Sequence, residues 1–141
     1  MAKTKARTLY LVKRAETAVR SGLESVLSEL GMTPSQYVTL SLLAIKDQSS
    51  ADLARKTGVT PQSMSEIIAV LERKSLIARV ENPEHRRILT IHLTDEGLDC
   101  LGQCDRRART LEEKLLNGLS AAQIETLRLA LDLIASNGRP Q

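Results

Sequence analysis

Apolar side chains recur along this chain at steps of three and four, and the pattern turns to alternation only between residues 77 and 93. Val12, Val19, Leu23, Val26 and Leu30 mark an amphipathic helix that ends at Gly31. Thr33-Pro34-x-Gln36 starts a second helix, containing Tyr37, Leu40, Leu43 and Ile45. A short stripe at Leu53 and Ala54 predicts a third, and Met64, Ile67, Ile68 and Leu71 a fourth. After the alternating stretch, Thr94 is an N-cap for a long helix on which Leu101, Cys104, Ala108, Leu111 and Leu115 form one seam. Ser120 with Gln123 makes a capping box for the last helix, with Ile124, Leu127, Leu131 and Ile134 on its apolar face. The expectation is a mainly α chain with one small β-hairpin.

The third and fourth helices meet at a single small turn, which makes them a helix-turn-helix. Gly58 supplies the positive φ such a turn often needs, Val59 plugs the corner, and Thr60-Pro61 gives an N-cap followed by proline at the first helical position. At 100° per residue, Met64, Ile67, Ile68 and Leu71 point inward while Gln62, Ser65, Glu66, Ala69 and Arg73 point outward. That outer face is small and polar, as suits a surface that reads a DNA groove. Hydroxyl and amide groups of Thr60, Gln62, Ser63 and Ser65 can exchange hydrogen bonds with base edges, and the unpaired backbone N–H groups beside Pro61 favour phosphate.

The β-rich segments Ile77 to Val80 and Ile88 to Leu93 flank a polar loop, Glu81-Asn82-Pro83-Glu84-His85-Arg86-Arg87. Arg86 and Arg87 put two permanent cations near the tip of this hairpin, where phosphates or a narrow minor groove would receive them. A hairpin placed directly after a helix-turn-helix reads as the wing of a winged helix, with a winged helix used for protein contacts alone, without DNA binding, as the alternative.

The segment L-A-R-K-T-G-V-T-P-Q-S-M-S-E-I-I-A-V-L-E-R-K-S-L-I, then N-P-E-H-R-R, then L-T-D-E-G, resembles the MarR family of bacterial transcription regulators. The order of the flanking helices agrees, so the resemblance runs from about Thr8 to about Asn137. It implies a homodimer whose two winged helices bind double-stranded DNA at a pseudo-palindromic operator, commonly as a repressor released by a small ligand or by oxidation. It also implies an effector cleft between the dimer helices and the winged helix, near Tyr10 and Tyr37. Three positions differ from the family pattern. His85 stands where an aspartate usually holds the wing arginine, Glu66 where the recognition helix often carries arginine, and Ser75 where a glycine usually follows that helix.

On this reading residues 1–141 are one domain, with 8–30 and 94–137 as dimerisation helices around a winged-helix lobe at 34–93. Apolar helix faces outside the lobe exceed what a compact monomer easily covers, which favours a two-fold interface spacing two recognition helices about one DNA turn apart. The net charge of +3 is unevenly spread: residues 1–20 hold six Lys/Arg against one acidic residue, and residues 94–141 six against eight. Lys3, Lys5 and Arg7 read as a solvated basic tail.

No Gly-rich phosphate loop, HExxH or CxxC occurs, and neither His85 nor His92 sits beside a nucleophile in any recognisable motif, so no enzyme, metal site or cofactor is expected. Cys100 and Cys104 lie one helical turn apart, an awkward spacing for a disulfide, and read as small apolar fillers, with a redox or bridging role as the alternative. No stretch has the length of a membrane helix and no apolar signal block follows Met1, which predicts a cytoplasmic protein.

Overall fold

The computed structural model describes residues 4–84 and 87–140. Six helices and three short strands follow in the order α1 (Thr8–Ser28), α2 (Pro34–Ile45), β1 (Gln48–Ser49), α3 (Ser50–Thr57), α4 (Pro61–Arg73), β2 (Ile77–Glu81), β3 (Leu89–Leu93), α5 (Asp95–Leu115) and α6 (Ala121–Asn137). The strands form one antiparallel sheet in the order β1-β3-β2. Ile77 pairs with Leu93 and Glu81 with Leu89 across the hairpin, while Gln48 pairs with Ile91 on the other edge.

Side-chain caps fix where the helices begin. Thr33 and Gln36 form a reciprocal capping box for α2, Ser120 and Gln123 another for α6, and Ser49, Thr60 and Thr94 each accept the N–H three residues on. Each such cap is worth about 1 kcal/mol.

The core lies under the helix-turn-helix. Leu40 and Leu43 of α2, Leu53 of α3, Met64, Ile68 and Leu71 of α4, and Ile77 and Ile91 of the sheet close on one another almost without exposure. Burial of side chains of this size contributes about 1.5–3 kcal/mol each. Leu27 at the end of α1 and Leu101 and Cys104 of α5 extend the same cluster. Gln48 is buried as well, and its amide donates to the carbonyls of Leu42 (2.9 Å) and Lys46 (3.3 Å), tying the α2–α3 connection to the sheet.

Strand β1 has no counterpart in the sequence pattern, since two residues show no alternation. The seam on α5 is covered within the chain at Leu101, Cys104 and Leu111 but not at Leu115, and Tyr37 of α2 donates its hydroxyl to Asp105 at 2.5 Å. α6 is different, having no buried residue at all.

Candidate nucleic-acid interface

Gly58 closes α3 in the left-handed region (φ 74°), and its N–H donates to the Ala54 carbonyl at 3.0 Å. Thr60 then opens α4: its hydroxyl accepts from Ser63 N–H at 3.1 Å and donates to Ser63 Oγ at 3.0 Å. Two of the side chains expected to meet DNA are therefore committed to each other. Thr60 has spent its proton on the cap, while Ser63 still has its own to offer. Pro61, Gln62, Ser65, Glu66 and Arg73 are all exposed on the face opposite Met64, Ile68 and Leu71, and Ser63 is half-buried at its edge. Glu66 makes no ion pair among the described residues.

Several contacts that sequence reasoning missed hold this helix in place. Arg79 on β2 pairs with Glu72 at 2.9 Å, so α4 and the hairpin are joined by charge as well as by packing. Lys74 donates to the Gly31 carbonyl at 2.6 Å, fastening the end of α4 to the end of α1. Lys74 and Gly31 lie 43 residues apart and Arg79 pairs with Glu72 across the exit of the helix, and no local motif announces either contact. Lys56 donates to the buried Gln48 at 2.6 Å, and Arg55 pairs with Asp52 within α3. The Asp52 carboxyl is held below the usual range, first by the Ser49 hydroxyl and then by Arg55.

The exit from α4 repeats the exit from α1. At α1, Met32 N–H reaches back to the Leu27 carbonyl and Gly31 takes φ 69°; at α4, Leu76 N–H reaches the Leu71 carbonyl and Ser75 takes φ 63°. A serine thus occupies a position whose geometry favours glycine. Thr94 closes this joint from the other side, its hydroxyl donating to the Ser75 carbonyl (2.7 Å) and its N–H to the Leu76 carbonyl (3.1 Å). Three residues on, a Cβ built on Gly97 would stand 2.0 Å from the Leu76 carbonyl oxygen, so only glycine lets α5 start this close.

In the wing, Asn82 accepts from Glu84 N–H at 2.9 Å and its own N–H donates to the Ile88 carbonyl at 3.3 Å. Arg87 is exposed, whereas His85 and Arg86 lie outside the described residues. His92 is exposed on β3, its Nδ1 3.1 Å from the Asp47 carboxylate.

Behind the lobe, α1, α5 and α6 enclose a groove of about 600 Å³. Val19, Leu23, Leu127 and Leu131 supply apolar walls, with Tyr37, Arg109 and Arg128 among its polar margins. Burial first, and then the hydrogen bond to Asp105, push the Tyr37 hydroxyl well above its ordinary pKa, so it stays a donor. Tyr10 does not line this groove and stands exposed near the start of α1. No helix among the described residues is long and apolar enough to cross a membrane.

The family model described as MarR family matches residues 30–88. The chain is 30% identical over 129 residues to the HTH-type transcriptional repressor Rv2887 of Mycobacterium tuberculosis, an alignment covering 91% of this chain and 93% of that one. The solved complex of Rv2887 with DNA superposes with a TM-score of 0.79 at 28% identity, over 92% of this chain and 98% of the other. The complex of Rv2887 with salicylic acid gives 0.75 at 30% identity, over 92% and 97%.

Proposed function

The chain belongs to the MarR family, and from that premise we propose that it is a homodimeric, cytoplasmic transcriptional repressor that binds a pseudo-palindromic operator. It is a regulator and not an enzyme. The observation that carries the operator reading is the outer face of α4, where Gln62, Ser65 and Glu66 stand exposed on a helix whose other face is locked into the core. Rigid presentation is what base reading needs, because each bidentate contact depends on placement. Gln62 and Ser65 offer hydrogen bonds to base edges, Glu66 accepts from a cytosine amine, and Ser63 with the N–H groups beside Thr60 and Pro61 takes phosphate. Arg73 adds positive charge at the far end of the helix, and Arg87, with His85 and Arg86, forms the wing contact.

The dimer reading is supported by the outer helices. Leu129 and Leu133 on α6 are 64% and 62% exposed and Leu9 on α1 is 76% exposed, an apolar surface that a second copy of the chain would cover. With α1 and α6 covered, the Tyr37 end of the groove becomes an enclosed site for a small organic acid, with Arg109 as counter-charge. Salicylic acid in the Rv2887 complex supports that effector class. Residues 8–30 and 94–137 are the dimer arms in this account and 34–93 the DNA lobe.

Titration of operator fragments selected from the source genome, across a range of salt, tests the reading. Arg87→Ala weakens binding on every sequence and lowers the slope of log K against log salt by about 1, while Glu66→Ala shifts sequence preference. A wild-type protein that forms no salt-sensitive complex with any fragment overturns operator binding. An unchanged slope in Arg87→Ala removes that residue from the interface.

A further inference from the structure

The chain's two cysteines, Cys100 and Cys104, stand one turn apart on α5, and neither belongs to the DNA-facing surface. Cys104 is completely buried and Cys100 half-buried, and both pack on the main core cluster. Side chains one turn apart on a helix keep their Cβ atoms about 5–6 Å apart. A disulfide needs them at about 3.5–4.5 Å. A direct S–S bond would therefore distort α5 beside Asp105, where Tyr37 is held, whereas one larger atom bonded to both sulfurs spans the gap with the helix intact.

We propose that Cys100 and Cys104 form a chelating dithiol site for trivalent monoorganoarsenic compounds, with Cys100 as the entry thiol and Cys104 as the second ligand. Two sulfurs are what this class requires, because carbon takes the third valence of the arsenic. Among the described residues no group of three or more His, Cys, Asp and Glu side chains comes together to hold a metal ion. A four-coordinate zinc would lack partners here, and soft sulfur ligands select soft centres. The exchange needs no oxidant. In R–As(OH)2, two As–O bonds break and two As–S bonds form, and each departing hydroxyl leaves as water with one thiol proton.

Exposure sets the order of the two steps. Cys100 reaches solvent and bonds first; the second bond is then intramolecular and is driven by the high effective concentration of the neighbouring thiol. Burial first, and then the adjacent Cys100, push the Cys104 thiol up to about 12, so Cys104 is the slower of the two thiols to react. The site stands independently of operator binding, since Cys100 and Cys104 lie on α5 and the proposed reading face on the outer side of α4.

Phenylarsine oxide, which hydrates to the required R–As(OH)2, is the probe. Native mass spectrometry of the full chain should show one phenylarsenic group per chain with both thiol protons lost. That adduct should survive excess glutathione, a monothiol, and be removed by dimercaptopropanol, a dithiol. Cys100→Ser, which changes a partly exposed side chain, and Cys104→Ala, which keeps the buried position apolar, should each lose the glutathione-resistant adduct. A wild-type adduct stripped by glutathione, or a resistant adduct in either variant, overturns the proposal.

Discussion

The winged-helix lobe and the two helices at the ends of the chain share one sequence grammar, apolar residues at helical steps, and differ in what covers them. In the lobe, α4 buries Met64, Ile68 and Leu71 against α2, α3 and the sheet. In α6 no residue is buried, and Leu129 and Leu133 are mostly open to water. α5 lies between the two states, closed by its own chain at Leu101 and Cys104 and open along the groove at Leu115. A lobe closed on its own can keep its proposed reading face fixed, while in the proposed dimer the open arms would be covered by a second copy and so place two lobes relative to each other.

The largest expected effect comes from breaking the open side. Leu129→Glu with Leu133→Glu puts two carboxylates on the open apolar face of α6, and the protein should run as a monomer in light-scattering chromatography. Operator affinity should fall by roughly 10²–10⁴-fold as two linked half-site contacts become one. Retention of the same oligomeric mass would show that α6 is not the pairing surface.

A smaller effect is expected at the junction. Gly97→Ala drives a methyl into the Leu76 carbonyl and against Leu93, and the start of α5 must move. Overpacking of this kind costs about 1–3 kcal/mol. Urea denaturation should show that loss together with weakened operator binding; an unchanged midpoint would mean that the joint yields without strain.

The smallest expected change is a gain. Ser75→Gly relieves a left-handed backbone that Gly31 adopts without penalty at the matching end of α1, and should add about 1 kcal/mol to the unfolding free energy. Operator binding should not change. A loss of stability would mean that the Ser75 side chain contributes something the backbone geometry does not reveal.

What the sequence disclosed tracks how local each determinant is. Thr60-Pro61, Gly58 and the Ser120/Gln123 box act within a few residues, and each stands where the pattern placed it. The hairpin is also present, with its strands running Ile77–Glu81 and Leu89–Leu93, one residue away from the expected Val80 and Ile88 boundaries. Strand β1 stayed hidden because it rests on the buried Gln48, a polar residue whose burial is set by carbonyls of the preceding helix. The α5 seam was visible as an apolar face, but periodicity does not say which surface covers it. Among the candidate DNA contacts, the pattern put Gln62, Ser65 and Glu66 outward, as they are. It did not reveal that Thr60 and Ser63 are bonded to one another, since that depends on how two hydroxyls share one cap.

The clamp that Thr94 makes on Ser75 and Leu76 bears on how the wing can be altered. Both ends of the hairpin are stapled at its base, by Thr94 and by the Ile77–Leu93 pairing, and these contacts do not draw on the residues between Asn82 and Ile88. That makes the tip an exchangeable cassette. Loops of other lengths and charges can be grafted between Glu81 and Leu89 to retune the proposed wing contact, while the frame that presents α4 is left untouched.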